Sequence, residues 1–234
     1  MLDRIEDVVE CSIIKRVNRF VVEVLVKNCH AMAHINNTGR LSGYIVRGRK
    51  AYCVRNNPGR KTGYKLFAVS EEDLAVLIDT RMQMKAFEIA VYKNMIPWLK
   101  GCKIIRRNAK LGSSRIDYLF DCMGSRIYVE VKSAVLRGGK HYAMYPDCPT
   151  MRGRKHINEI INYVLNGGLG AIVFIAAMPY VKAFKPYECG DPEVPTLIRR
   201  AYEAGVMVKA ISLYYDPQAS AVFLDDPDLE VELD

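Results

Sequence analysis

The chain has seven cysteines among its 234 residues but no CxxC pair, and an odd count leaves no complete paired framework. A zinc site needs clustered ligands and a secreted scaffold needs matched cysteines, so neither class is expected. The start of the chain lacks the charged segment and apolar run of a signal peptide, and no apolar run approaches a bilayer-spanning length. A cytoplasmic protein with no membrane partner is expected, its thiols mostly small buried apolar residues in a reducing compartment. The one tryptophan, Trp98, follows Pro97 and reads as packing. No internal repeat and no low-complexity segment occurs.

Acids are scarce in one region. Residues 11–70 hold twelve Lys or Arg, among them Arg16, Arg19, Arg40, Arg60 and Lys61, against one acid, Glu23. The net charge is +8, and the acids gather elsewhere, notably in 225–234. Such asymmetry points to a polyanion meeting the first third of the chain. With 50% of residues apolar, the chain can bury one large core or two modest ones.

The most informative stretch is 113–133, SSRIDYLFDCMGSRIYVEVKS. It reads as two strands joined by a tight turn at Met123-Gly124-Ser125. Ile116, Tyr118 and Phe120 share one face of the first strand and Asp117 takes the other. On the second, Val129 and Val131 oppose Glu130 and Lys132. Two carboxylates converging on one point repel each other unless a cation sits between them, and hard oxygen ligands favour Mg²⁺ or Mn²⁺. With a lysine one pleat along, this set can hydrolyse a phosphodiester. A D…ExK string is weak by itself, because a solvated acid–lysine pair on an exposed strand would give it too.

Before this hairpin, strands are expected at 18–26, 29–35, 50–54 and 64–69, with turn-rich loops at 36–40 and 55–62. Short strands with basic loops and no helix between them suggest a small barrel, OB-like, with an SH3-like barrel giving a similar string. Glu71-Glu72-Asp73 changes the composition and reads as the connection to a second domain. A helix is expected from about 79 to 95, with Met84, Phe87, Ala90 and Val91 on its apolar face, Glu88 beside that face and Pro97 as its stop. A strand at 103–107, the hairpin and an edge segment near 141–145 follow. Thr150 is a candidate N-cap for a helix to about 166, ended by Gly167-Gly168. A continuous apolar strand at 171–177, a helix near 195–204 and a strand near 206–214 complete the pattern. The division expected is an OB-like domain over 1–78 and an α/β domain over 79–234. Helix, three strands, helix, strand, with the acids on strands two and three, matches the core of the restriction-endonuclease-like, or PD-(D/E)xK, nucleases.

At this point the chain resembles the sugar fermentation stimulation protein family, described as DNA/RNA nucleases or DNA-binding proteins. The resemblance runs from about residue 17 to 224. It is carried by Asn18-Arg19-Phe20, Asn37-Thr38-Gly39-Arg40, Arg60-Lys61-Thr62, Ser114-Arg115-Ile116-Asp117, Tyr128-Val129-Glu130-Val131-Lys132-Ser133, Tyr145-Pro146-Asp147 and Arg152-Gly153-Arg154-Lys155-His156. Asn36 departs from the pattern where a proline would be expected. The resemblance implies an N-terminal OB-like nucleic-acid-binding domain and a C-terminal PD-(D/E)xK domain.

On this reading Asp117 and Glu130 bind Mg²⁺ or Mn²⁺ with the Val131 carbonyl, and Glu88 reaches the ion from its helix, as the helix acid does in many nucleases of that superfamily. Lys132, with a reference pKa of about 10.4, holds a water or offsets transition-state charge rather than acting as a base. Asp117, Glu130 and Lys132 are the expected catalytic set. Arg16, Arg19, Asn37, Thr38, Arg40, Arg60, Lys61 and Arg115 are expected to bind nucleic acid. So are Arg152, Arg154, Lys155 and His156, because cations in a first helical turn oppose the dipole and need another reason, such as phosphate. His30 and His34 read as structural. Tyr44, Tyr52 and Tyr64 either stack bases or fill a barrel core. A metal-dependent nuclease of DNA or RNA is favoured over a non-catalytic DNA-binding regulator of sugar metabolism. A homodimer is compatible with either.

Overall fold

The computed structural model describes residues 1–57 and 59–233; Pro58, in the turn-rich 55–62 stretch, and Asp234, at the end of the acidic run, lie outside them. In chain order, β1 (Asp3–Arg4), β2 (Val8–Asn18), β3 (Val21–Val26), β4 (Cys29–His34), β5 (Lys50–Arg55) and β6 (Tyr64–Glu71) form the first part. β2 pairs antiparallel with β3 and with β5, β3 with β4, and β5 with β6, while β4 lies parallel to β6 and closes the ring. A closed five-stranded Greek key of this order is an OB barrel. Alternation buries Val22, Val24 and Val26 on one face of β3, whereas β6 is buried on both faces, with Leu66 and Ala68 opposite Phe67 and Val69.

The expected strand over 18–26 is split. β2 ends at Asn18, whose side-chain oxygen accepts a hydrogen bond from Phe20 N at 2.8 Å and turns the chain. The apolar run after it hides this turn from a period-two reading. Tyr44 and Tyr52 are core residues, 4% and 3% exposed, so they cannot stack bases; Tyr52 instead meets the Tyr215 ring edge-on at 5.4 Å.

Glu71, Glu72 and Asp73 make no linker. Glu72, at φ 52°, turns β6 straight into β7 (Leu74–Leu77), which pairs with β6 on one side and with Tyr215 of a late strand on the other. Asp79 then caps α1 (Thr80–Tyr92), accepting from Met82 N at 2.8 Å. The same buried carboxylate takes Lys65 at 2.6 Å and Asn36 at 2.9 Å, so one side chain ties β6, the loop after β4 and the helix start together. α1 stops at Tyr92, before Pro97, because Asn94 takes a left-handed conformation at φ 53°. Its buried face is Gln83, Ala86, Phe87, Ala90 and Val91, with Met84 at the margin.

The second part continues with β8 (Cys102–Leu111), β9 (Ser114–Cys122), β10 (Ser125–Ser133), β11 (Leu136–Gly138), β12 (Tyr142–Tyr145), α2 (Met151–Leu165), β13 (Leu169–Ala176), β14 (Ala183–Pro186), α3 (Glu193–Glu203), β15 (Met207–Asp216) and β16 (Ala221–Val231). The main sheet runs β8-β9-β10-β13-β15-β16, with β10, β13 and β15 parallel. The 141–145 segment is not its edge: β12 sits between β11 and β14 in a small sheet at the side. The acidic 225–234 run is largely strand, and Ser212 anchors it by hydrogen bonds with Asp225 and Asp226. Phe87 of α1 packs on Tyr118 and Phe120, ring centres 5.8 and 6.5 Å away, while α2 covers the opposite face through Tyr163 against Tyr128. This is a restriction-endonuclease-like α/β layer behind an OB barrel. Among the described residues no helix is long and apolar enough to cross a membrane.

The cysteines depart from expectation. Cys102 and Cys122 are joined by a disulfide across β8 and β9, and of the five free thiols only Cys11 and Cys53 are buried. Opposed ends of two strands place paired cysteines side by side although their sequence separation is 20, which spacing alone does not reveal.

Asp79→Ala removes a helix cap and leaves Lys65 without its buried partner. A loss of about 2–4 kcal/mol in unfolding free energy is expected by chemical denaturation. An unchanged midpoint would show that the junction does not depend on this carboxylate.

Candidate functional site

In the β9–β10 ladder, Tyr118 faces Val129, so the next residues, Asp117 and Glu130, lie side by side on the face turned toward α2. Asp117 Oδ2 accepts from Val131 N at 2.9 Å, and Asp117 N donates to Glu130 Oε2 at 3.3 Å. Lys132, one pleat along, donates from Nζ to Glu130 Oε1 at 2.6 Å, and His156 Nδ1 comes down from α2 to the same oxygen at 2.6 Å. Arg152 Nε approaches His156 Nε2 at 3.5 Å, which fits a ring carrying its proton on Nδ1. Glu130, Lys132 and His156 are 2%, 8% and 6% exposed. Charged groups on a strand flanked on both sides by others are costly unless paired.

The two carboxylates are not equivalent. Burial pushes Glu130 up, but the Lys132 charge and the His156 hydrogen bond outweigh it and hold its pKa below the usual range. Burial followed by the neighbouring Glu130 charge pushes Asp117 up to about 6, against the opposing Val131 N–H. Burial lowers Lys132, yet the Glu130 carboxylate prevails and keeps the ammonium above its ordinary value. Among the described residues Asp117 makes no ion pair, and the Lys132 charge only partly offsets its burial and the Glu130 charge. Among the described residues no three His, Cys, Asp or Glu side chains group as metal ligands. A donor set of two carboxylates, completed by carbonyl and water oxygens, fits a hard divalent ion that keeps part of its hydration.

Glu88 is not brought to this pair. It lies on the α1 face, where Arg107 grips it at 2.8 and 2.7 Å and the Tyr118 hydroxyl donates at 2.9 Å. The Arg107 hydrogen bond, against burial, keeps its pKa low. The clue is local, since Glu88 follows Phe87 and the Phe87 face packs on Tyr118. His156, placed by sequence among phosphate ligands, is an inner member of the site. Of its neighbours, Arg152 and Lys155 are exposed, whereas Arg154 is tied to Asp191 and Glu193.

Within the barrel, Arg16 is a buttress. Its guanidinium donates to the carbonyls of Gly39, Arg40 and Arg19 at 2.6, 2.7 and 3.0 Å. Burial lowers its pKa, opposed by Asp147. Asn37 is buried and its oxygen accepts from Gly39 N at 2.9 Å; Arg19, Thr38, Arg40, Arg60, Lys61 and Arg115 are exposed. Arg60 and Lys61 line a groove of about 730 Å³ together with Arg55, Lys65 and Arg81. Asp147 joins the halves, its Oδ2 accepting from Leu41 N at 3.0 Å. A Cβ on Gly39 would stand 2.5 Å from that carboxylate oxygen, which explains glycine there. Sequence reasoning named these segments singly and missed that 37–41 closes over 145–150.

The family model described as "Sugar fermentation stimulation protein RE domain" matches residues 81–219, and "SfsA N-terminal OB domain" matches residues 14–78. A sugar fermentation stimulation protein homolog of Archaeoglobus fulgidus is 46% identical over 98% of both chains. One from Pyrococcus furiosus is 44% identical over 94% of this chain and 95% of its own. A solved structure of Pyrococcus furiosus SfsA in complex with Ca²⁺ superposes with a TM-score of 0.94 at 43% identity, covering 99% of this chain and 98% of that one. Matched in both halves and aligned nearly end to end, the chain belongs to the sugar fermentation stimulation protein family.

Proposed function

We propose that this chain is a divalent-metal-dependent nuclease that hydrolyses phosphodiester bonds in DNA or RNA. The observation that carries the proposal is the buried Glu130–Lys132–His156 cluster beside Asp117, two carboxylates side by side on neighbouring strands. A protein that only binds nucleic acid gains nothing from two carboxylates facing phosphate. The Ca²⁺ bound by the Pyrococcus furiosus relative supports an oxygen-ligated divalent site in this family.

Asp117, Glu130 and the Val131 carbonyl would hold Mg²⁺ or Mn²⁺, with Glu88 left to Arg107. Bound there, the ion would polarise the scissile phosphate and acidify a water. Lys132 supplies a fixed positive charge for the negative charge that grows on the phosphoryl oxygens. His156 positions Glu130 by holding Oε1, so that Oε2, which accepts from Asp117 N, is turned toward Asp117. Exposed Arg19, Arg40, Arg60, Lys61, Arg115, Arg152 and Lys155 supply phosphate contacts that fix the strand without reading its sequence.

Three measurements test this. With Mg²⁺ or Mn²⁺ the protein should cut DNA or RNA and stop with EDTA, and Asp117→Ala and Glu130→Ala should each lower the rate by about two or more orders of magnitude, with binding retained. Tight binding without cleavage of any substrate would favour the regulator instead. Arg40→Ala with Lys61→Ala should weaken binding evenly across sequences and reduce the salt slope by about 1–2; an unchanged slope would exclude the barrel as the binding surface.

The third concerns pH. Asp117 has its folded pKa raised from 3.8 to about 6, so its contribution to metal-free stability is complete below the lower value and is lost as pH rises through the upper one. Ca²⁺ binding needs the carboxylate ionised. The thermal upshift produced by Ca²⁺ should therefore be large at pH 8, shrink through pH 6 and be small at pH 5. Equal upshifts at both ends would remove Asp117 from the ligand set.

A further inference from the structure

Between the barrel and the α/β layer, beside the carboxylate pair, lies a narrow cleft. It has two chambers, of about 150 and 130 Å³, which share Val135, Leu136 and Asp147 as common walls. The larger chamber takes Asn37 and Thr38 from the barrel loop and Ser133 and Tyr145 from the α/β layer. Tyr145 packs its ring on Phe174 with centres 5.6 Å apart, and Phe174 is the residue of β13 in register with Lys132. The chamber thus approaches the Lys132 end of the proposed site through Tyr145.

We propose that this cleft takes one unpaired nucleobase of the strand whose phosphate lies at Asp117 and Glu130, an inference that rests on the nuclease reading. Three observations support it.

The first is size. A chamber of about 150 Å³ is well under the roughly 300–1,000 Å³ of a drug-sized site. It equals about five waters' share of liquid volume, which admits one planar heterocycle and excludes a base pair.

The second is chemistry. Leu136, Met144 and Pro146 give apolar walls for a ring face, and Ser133, Asn37 and Asp147 give polar edges. Ser133 Oγ is buried and has no partner among the described residues, a condition that native proteins avoid unless a ligand or water completes it. Asn37 commits its oxygen to Gly39 N and lines the same chamber, so its amide nitrogen is the end left to meet a base edge.

The third is preorganisation. Arg16 fixes the 37–40 carbonyls from behind and Asp147 fixes Leu41 from in front, so the loop needs no ordering when a base enters. A splayed base held by hydrogen bonds to its edge and by contacts to its faces is the general way a protein reads single strands. Specificity for an unpaired nucleotide at the cut follows, with duplex bound only where it can open.

The test uses the full chain, Ca²⁺ to support binding with little turnover, and single-stranded DNA oligomers carrying one 2-aminopurine at successive positions. The expected result is a several-fold fluorescence change at one position and little at its neighbours. Leu136→Trp, which fills the chamber, should abolish that position's signal, and Ser133→Ala should weaken it several-fold. Both variants should keep the Ca²⁺ thermal upshift, which certifies that they fold with the carboxylate pair intact. In Mg²⁺, an abasic residue at the same position should slow wild-type cleavage about tenfold and leave Leu136→Trp indifferent. A change spread evenly along the strand, or one that survives in both variants, overturns the base site. If cleavage is metal-dependent and lost in Asp117→Ala while the fluorescence is even, the nuclease reading stands and the cleft inference fails. A position-specific signal without cleavage in any metal reverses that outcome.

Discussion

Glu130 is a carboxylate with almost no exposure, set on a strand that has neighbours on both sides, and its charge survives because Lys132 and His156 donate to one of its oxygens. Removing Lys132 would leave a buried charge uncompensated, a change that costs about 3–5 kcal/mol in comparable sites, whereas removing His156 would take one hydrogen bond from the same oxygen. Much else in the α/β layer follows from keeping these groups in place. β13 lies parallel to β10 and presents an almost wholly buried apolar strand, so β10 cannot move sideways. Thr150 starts α2 by accepting from Gly153 N, and that start fixes which turn brings His156 to the sheet. Gly153 itself has no room for a Cβ, which would lie 2.6 Å from both the Thr150 and Tyr145 hydroxyls.

The barrel contributes to the same centre without reaching it. Arg16 lies on a barrel strand, but its guanidinium is directed at the loop that meets Asp147 across the domain boundary. Basic residues in the first part therefore divide into two groups. Arg16 and Lys65 hold structure, whereas Arg19, Arg40, Arg60 and Lys61 face solvent. Composition shows the excess of positive charge but cannot separate these groups, since the difference lies in which carbonyls and carboxylates the fold brings near.

Legibility in sequence tracked the range of the interactions involved. The β9–β10 hairpin, the Thr150 cap and the Gly167 stop depend on neighbours a few residues apart, and each stands where periodicity and capping chemistry put it. The pairing of Asp117 with Glu130 was readable because a two-strand register follows from the turn. Glu88 was harder: on a helix it is one residue from the apolar face, and only the packing of Phe87 on Tyr118 decides which side of the sheet it serves. His156 was read as a surface cation because its helix position resembles that of Arg152 and Lys155, yet it faces the sheet. The role of β7, the strand character of the C-terminal acids and the Cys102–Cys122 bond all depend on partners distant in sequence, about which local pattern is silent.

The strand that opens the chain, β1, pairs with the one near its end, β16, Leu2 N bonding to Val222 O and Ile5 N to Ser220 O at 2.7 and 2.8 Å. This pairing has a consequence for the order in which the protein is made. The barrel strands are complete once β6 has emerged, but β7 gains its second neighbour with β15, and β1 is paired when β16 arrives. Contacts of such wide separation form slowly. The newly made first part of the chain therefore carries two unsatisfied strand edges until residues 215–222 have emerged to seal them.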